Sequence, residues 1–361
     1  ICCDWRGRQL SCISTGLQKR FGSMATIRDV AKMAKVSIST VSVALKDGTQ
    51  VTPETLKRIT DAAEAVGYTP NPVAQSLKAG RSKLIGVVIG SMQNPWFGDL
   101  MAGIEETAQQ HHHLVTLSET RMDLERERAT IDVLCSQRVG GIILSPYVTT
   151  AEHVKFLAEL KTPLVVIDQK LEGLQTDFVG IDNELAMAML TSQLLRLGHR
   201  RIGHIAGTTG LWTSERRKQG FRETLAAGGV EPDETLIVDG QYDGQVAYDQ
   251  AMRLLTRPDR PTAIIAANVL MALGALQAIN DLNFKCPDDI SLASIDTVPW
   301  ASVIHPQLTV VVQPIAEIAH AATAFLMDRV NAPHEAIAPR ERIFTPKFVA
   351  GSSSAPPPAR A

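Results

Sequence analysis

Two kinds of patterning divide this chain, and together they predict a small all-α head followed by an α/β body of two doubly wound parallel sheets. From Ala25 to Val66 the apolar residues recur at three- to five-residue spacings, as they do on short amphipathic helices. From Leu84 onward, short runs that are apolar at every position alternate with segments of helical spacing, the pattern of parallel strands covered on both faces. Charge follows the same division. Residues 24–83 carry nine Lys or Arg against five acids, a net of +4; residues 1–23 are +3; the remainder is therefore −9 in a chain that totals −2. A basic head on an acidic body suits a phosphate-binding module joined to something that does not itself bind nucleic acid, although +4 on a head of this size is equally an ordinary solvated surface.

Within the head, Val30, Ala31 and Ala34 are followed by Val36, Val41 and Leu45, small or branched residues that suit two short helices meeting at a sharp angle. Ser37 stands where an N-cap would open the second helix, and Ile38, Ser39 and Val43 then share its outward face, which would meet a DNA groove. A third helix is punctuated by Thr52 as N-cap, Pro53 at the first helical position and Gly67 past the end, with Leu56, Ile59, Ala63 and Val66 on one face. After it, Asn71 can cap and Pro72 can start a helix that ends at Ala79-Gly80. About two turns fall below the ~12–15 residues a helix needs to be even marginally stable alone, so this one is expected to form only against DNA and the twin helix of a second subunit.

The body opens with strand Leu84–Ile89 and helix Phe97–Gln110, followed by strand Leu114–Leu117, a helix near 125–137, strand Gly141–Leu144, a helix near 152–160 and strand Leu164–Asp168. A second series follows Phe178–Asp182: helix Asn183–Leu197, strand Arg201–Ile205, helix Ser214–Ala227, strand Thr235–Val238, helix Gly244–Leu255, strand Ala263–Ala267, helix Leu270–Leu282 and strand Ile290–Ile295. In open parallel sheets ligands gather outside the carboxyl ends of the strands. There this chain carries Trp96 and Phe97, Asp168, Asn268 and Asp296, with Arg217 on a helix beside them. Carboxylates, an amide and an arginine hydrogen-bond adjacent hydroxyls, and an aromatic ring packs on the apolar face of a sugar, so a small polyhydroxylated ligand fits. Each residue also has a plainer reading. The aspartates can cap turns, Arg217 can pair with Glu215 or Glu223, and Trp96 and Phe97 can be core.

Composition excludes several classes. With 361 residues, 45% apolar and 20% charged, the chain is an ordinary globular one of two or three domains. It has no apolar run of the ~18–20 residues a membrane span needs, and residues 1–23 lack the apolar core of a secretory signal, so a cytoplasmic protein without a membrane partner is expected. Five cysteines, three of them Cys2, Cys3 and Cys12, suit a reducing compartment, and no histidine or fourth cysteine stands near those three at zinc-ligand spacing. His111–His113 are adjacent at a helix end and point in different directions, so neither metal nor cofactor is expected. The run after the first strand, Ile89-Gly-Ser-Met-Gln-Asn, is no phosphate loop, and no G-x-S-x-G is present, which argues against the enzymes of doubly wound sheets and leaves no catalytic residue to name. A secreted sugar-binding protein would explain the body but neither the head nor the missing signal.

The order of blocks Thr26-Ile-Arg-Asp-Val-Ala31, Val36-Ser-Ile-Ser-Thr-Val-Ser42, Val51-Thr-Pro-Glu-Thr55, Gly67-Tyr-Thr-Pro-Asn-Pro72 and Ala74-Gln-Ser-Leu77 resembles the lactose/galactose-repressor (LacI/GalR) family of bacterial transcription regulators. Gly198–Gly203, Arg217–Phe221, Ala267-Asn268, Met271–Gly274, Pro287–Ile290 and Pro306–Thr309 extend the resemblance through a body like that of periplasmic binding proteins, over roughly residues 25–350. The resemblance implies a homodimer on double-stranded, pseudo-palindromic operator DNA, most often a repressor of carbohydrate uptake or catabolism genes, with a small sugar-like effector between the subdomains. By matching position, Ser37, Thr40, Ser42, Tyr68 and Asn71 would contact phosphates, while Ala74 and Leu77 would lie on the minor-groove hinge helix with Leu77 wedged between base steps. Asp168, Arg217, Asn268 and Asp296 would contact the effector, and Tyr242 would stack on it.

It also implies three crossings between the subdomains. The expected domains are a non-native, disordered leader 1–23 before a natural start at Met24, a DNA-binding domain 24–69, a hinge 70–83 and an effector domain 84–350, then a disordered tail 351–361. Within the effector domain the first subdomain takes 84–181 and 315–338, and the second takes 182–314 and 339–350. The chain departs from the family at Lys35, where a turn glycine is usual, at Val43, where many members read a base with arginine, at Gly140, where an aspartate is usual, and at Val269, where an aspartate usually follows the asparagine.

Overall fold

The computed structural model describes residues 25–46, 50–69, 82–147, 150–298, 300, 303, 305–332 and 337–358. The leader and the hinge from Pro70 to Arg81, with Asn71, Ala74 and Leu77, lie outside the described residues. The chain forms two compact units, residues 1–80 and 81–361.

The first unit contains α1 (Ile27–Ala34), α2 (Ile38–Lys46) and α3 (Pro53–Val66). Each start has a chemical cause: the Thr26 amide donates to Asp29 Oδ2 (2.8 Å), Ser37 Oγ accepts from the Thr40 amide (3.0 Å), and Thr52 Oγ1 accepts from the Thr55 amide (3.3 Å) ahead of Pro53. Between α1 and α2 the chain turns through Lys35 in the left-handed region (φ 53°, ψ 45°), where a side chain costs about 1 kcal/mol relative to glycine. Val30, Ala31, Ala34, Val41, Ala44, Ile59, Ala62 and Ala63 form the buried core, with Leu56 and Val66 packed against it.

The second unit holds two six-stranded sheets of the same winding. The first is ordered β2-β1-β3-β4-β5-β11, from β1 (Leu84–Ile89), β2 (Leu114–Glu119), β3 (Gly141–Leu144), β4 (Leu164–Ile167), β5 (Asp177–Ile181) and β11 (Glu341–Phe344). The second is ordered β7-β6-β8-β9-β10-β12, from β6 (Ile202–Ala206), β7 (Ile237–Asp239), β8 (Ala263–Ala266), β9 (Ser291–Ile295), β10 (Thr309–Val312) and β12 (Lys347–Val349). Every residue of β3, β4, β5, β6, β8 and β9 is buried, which is why β3, β4 and β8 are apolar throughout instead of alternating, while Asp177 in β5, His204 in β6 and Ser291 and Ser294 in β9 are buried polar exceptions. The covering helices are α4 (Pro95–Gln110), α5 (Leu124–Ser136), α6 (Ala151–Ala158), α7 (Asn183–Arg196), α8 (Trp212–Ala227), α9 (Gly244–Leu255), α10 (Val269–Asp281) and α11 (Ile315–Asn331).

The structure departs from expectation at four places. Ahead of β7, residues Glu234–Leu236 form a 3-10 turn, not strand. The wholly β-branched run Thr309–Val312 adds strand β10 beside β9. The expected last strand, near 343–349, is two strands: β11 runs parallel to β5 in the first sheet and β12 antiparallel to β10 in the second, so the third crossing falls between Phe344 and Lys347 and residues 341–344 belong to the first subdomain. The cause is Asp177, a fully buried carboxylate gripped by Arg329 (2.6 and 2.8 Å) and by the backbone and guanidinium of Arg340 (2.8 Å each), which holds the chain after α11 against β5.

Residues 351–358 of the expected disordered tail are also ordered. Ser353 is fully buried; its Oγ donates to the Leu292 carbonyl (2.5 Å) and accepts from the Thr309 amide (2.8 Å), and the Ala355 amide donates to Ser291 Oγ (3.0 Å). Composition suggested a loose end, but serine supplies the donors and acceptors that the starts of β9 and β10 need.

Candidate functional site

The head presents one polar surface at the start of α2. Ser37 Oγ lies 2.7 Å from both Ser39 Oγ and Thr40 Oγ1, so capping fixes three hydroxyls in one cluster. Ile38 remains 45% exposed and Ser39 is exposed, whereas Thr40, Ser42 and Val43 are half-buried and Val41 and Ala44 face the core. Tyr68 packs against that core. An isoleucine left open between hydroxyls gains nothing in water.

In the second unit the carboxyl ends of the strands surround a cavity of about 610 Å³, and Trp96, Phe97, Asp168, Arg217, Tyr242, Asn268 and Asp296 all stand in its walls. The two halves build it alike. Asp168 follows β4 and Asp296 follows β9; both adopt left-handed backbone (φ 61° and 64°), and each amide reaches across to the next strand, Asp168 to the Val179 carbonyl (3.1 Å) and Asp296 to that of Val311 (2.7 Å). Arg121 and Met122 follow β2 as Gln241 and Tyr242 follow β7, all four at positive φ, and each pair leads into a capping aspartate, Asp123 or Asp243. The Tyr242 ring lies over Gly207, where a Cβ would collide with it.

Arg217 projects from α8 and is 3% exposed; its Nε donates to Asn183 Oδ1 (2.8 Å) and Nη1 to the Ala267 carbonyl (2.5 Å). Gly220 makes this possible, since a Cβ there would strike the backbone of Glu184 and push α8 off α7. Nη2 has no protein acceptor among the described residues. The plainer pairing does not form: Glu215 takes Lys218 (3.0 Å) and Glu223 takes Gln219 (2.9 Å). Other residues satisfy both readings. Asn268 caps α10 through Oδ1 on the Met271 amide (2.9 Å) while lining the cavity, and Trp96 and Phe97 are core residues that also form a wall, ring to ring at 4.9 Å.

Burial controls the charge of the two aspartates. It pushes Asp296 up to about 6, against the opposing pull of Arg217 and a hydrogen bond from Gln313 Nε2 (2.7 Å), and it raises Asp168 in the same way with Arg217 again opposing. Tyr242 is raised by burial too. Among the wall residues that sequence reasoning missed are Gln169, Thr213, Gln313 and Tyr147. Gln169 adjoins Asp168 and could have been suspected. Tyr147 carried no signal: its amide is held by the fully buried Glu127 (3.0 Å), itself paired with the buried His153 (2.6 Å), a link visible only in three dimensions.

Comparison with known proteins adds a name to this geometry. Residues 26–71 match the family described as bacterial regulatory proteins, lacI family, and residues 191–354 match a periplasmic binding protein-like domain. The HTH-type transcriptional repressor PurR of Mannheimia succiniciproducens is 32% identical over 85% of this chain and 92% of its own. The chain belongs to the LacI family. Among solved structures, the transcriptional regulator CelR in complex with cellobiose is 26% identical over 91% of this chain and 99% of its own (TM-score 0.69). The Lac repressor dimer bound to operator and the anti-inducer ONPF shares the fold (TM-score 0.81, 24% identity, 92% of this chain and 99% of its own). This LacI-family chain is thus a DNA-binding transcription regulator, and no helix among its described residues is long and apolar enough to cross a membrane.

Proposed function

We propose that the protein represses genes of carbohydrate uptake or catabolism from the cytoplasm, binding a pseudo-palindromic operator as a dimer, and that a sugar-like effector in the cavity changes its affinity for DNA. The observation that carries this reading is the matched pair Asp168 and Asp296, one from each sheet, converging with Arg217, Asn268, Trp96, Phe97 and Tyr242 on one space. Two carboxylates accept from neighbouring hydroxyls, Arg217 Nη2 and the Asn268 amide donate, and the rings cover the apolar face. The ligand is held and released unchanged. Binding favours one arrangement of the subdomains, and by linkage operator affinity changes with it. The cellobiose complex of the related CelR and the operator-bound Lac repressor dimer support both halves of the reading.

On DNA, the hydroxyls of Ser37, Thr40 and Ser42, with Tyr68 and Asn71, position the head on phosphates; Ile38, Ser39 and Val43 face the major groove, and Ala74 and Leu77 the minor. Val43 offers apolar contact to a thymine methyl where arginine would grip guanine, so the half-site is T-rich at that position.

The test is a thermal-shift screen of the full chain against cellobiose, ribose, other sugars, sugar acids, sugar phosphates, polyols and purines. A ligand at ~100 times its dissociation constant adds ~2.7 kcal/mol to the native state. A sugar that shifts the wild type and not Asp168→Ala, Arg217→Ala or Asp296→Ala is the expected result. A panel without any shift overturns the sugar assignment.

A further inference from the structure

Helix α8 begins without a cap of its own. Its N-cap residue is Leu211, whose side chain makes no capping hydrogen bond, although α8 is a helix of 16 residues carrying Arg217. The first-turn amides of a helix have no partner within it and must find one outside. The Thr213 amide finds Gln169 Oε1 at 3.2 Å, and Gln169 belongs to the other subdomain, just after β4. The same side chain returns a second bond, Nε2 to Thr213 Oγ1 at 2.6 Å, so the two residues are joined twice across the cleft. Both are buried, at 5% and 1% exposure. Beside them, Trp212 of α8 meets Phe178 of β5 edge to face at 5.6 Å.

Each end of this contact is also wired to a cavity residue. Gln169 Nε2 lies 3.3 Å from Asp168 Oδ2, and Thr213 Oγ1 lies 2.7 Å from Tyr242 Oη. Thr213 has one hydroxyl proton. Its oxygen accepts from Gln169, and either hydroxyl can donate in the contact with Tyr242, so anything that claims Tyr242 Oη or Asp168 Oδ2 alters the cross-cleft pair.

We propose that Gln169 is a positioning residue that latches the two subdomains together, serving as the missing cap of α8, and that Asp168 and Tyr242 connect the latch to the occupant of the cavity. The proposal rests on the effector reading only for that last step; the latch itself is made of contacts between protein side chains and backbone alone. Leucine at the N-cap of α8 breaks a local rule of helix starts, and the amide that repairs it comes from the body the helix must move against.

The test uses the full ligand-free chain with two readouts. Hydrogen exchange at the Thr213 amide reports the cap. The distance between spin labels at Glu125→Cys and Gln245→Cys, exposed and equivalently placed in the first turns of α5 and α9, reports the cleft in a background with the other cysteines replaced. Gln169→Ala is expected to speed exchange at Thr213 by about ten-fold and to broaden the distance distribution toward longer values. Gln169→Glu keeps the acceptor for the Thr213 amide, so it restores slow exchange at Thr213. Thr213→Ser retains both bonds and behaves as wild type in both readouts. Tyr242→Phe removes the link to the cavity without touching a cross-cleft bond, and it shifts the distance in the direction of Gln169→Ala. An unchanged distance in Gln169→Ala, or exchange that rises evenly through the whole body, overturns the latch; an unchanged distance in Tyr242→Phe overturns its connection to the cavity. Neither result depends on a ligand, so the thermal-shift screen can fail while the latch stands, and the reverse.

Discussion

Asp296 carries opposite consequences for stability and for binding. Its carboxyl is 7% exposed and burial lifts it to about 6, above the ordinary 3.8. A carboxyl raised in the folded state stabilises fully below about pH 4, and that contribution is lost as pH rises through about 6, so at neutral pH the ionised group costs the fold at most about 3 kcal/mol. Asp296→Asn should therefore melt higher than wild type at pH 7.5, with the two curves converging near pH 4, while ligand binding is lost at both. A wild-type protein that melts higher at neutral pH would show that Arg217 and Gln313 outweigh the burial. At this scale residue type was legible in the sequence, since both aspartates, the arginine and the aromatic pair could be named from position alone. The raised carboxyl was not, because burial is a property of the neighbours.

The elements with internal periodicity were the legible ones. Strands such as Gly141–Leu144 and Leu164–Ile167 are apolar at every position because helices cover both faces, and that leaves a mark in the sequence itself. The terminal pieces left none. Nothing in Glu341–Val349 indicates that it divides between two sheets; the division follows from where Asp177 holds Arg340. The segment 351–358 is polar and proline-rich, and only its partners show that it is structural. Ser353→Ala removes a buried donor and acceptor together, the ones that bond the Leu292 carbonyl and the Thr309 amide. A loss of about 1–3 kcal/mol in denaturant-induced unfolding is expected. A change within experimental error would show that the segment merely rests on the sheet.

Over the whole molecule, function divides along the chain as charge does. The head has its own core of small apolar residues, and the body has cores on which the head does not draw. Removing residues 24–83 should abolish operator binding and leave the ligand-induced thermal shift of the body intact; mobility shift and calorimetry on the same preparation would check it. Loss of the thermal shift along with DNA binding would mean that the cavity depends on the head.

What the sequence by itself determined is the list of parts: a capped three-helix head, two series of strand and helix, and polar residues at the ends of the strands. Those follow from periodicity, capping chemistry and the rule that parallel strands place ligands at their carboxyl ends, all of which act over a few residues. Only the tertiary structure decided how the parts meet: that Gln169 rather than Leu211 caps α8, that Asn268 both caps and faces the cavity, and that the chain's end completes the second sheet. Those contacts join residues far apart in sequence, each satisfying a polar group that its own element leaves unpaired, and no local pattern records which distant side chain will supply the partner.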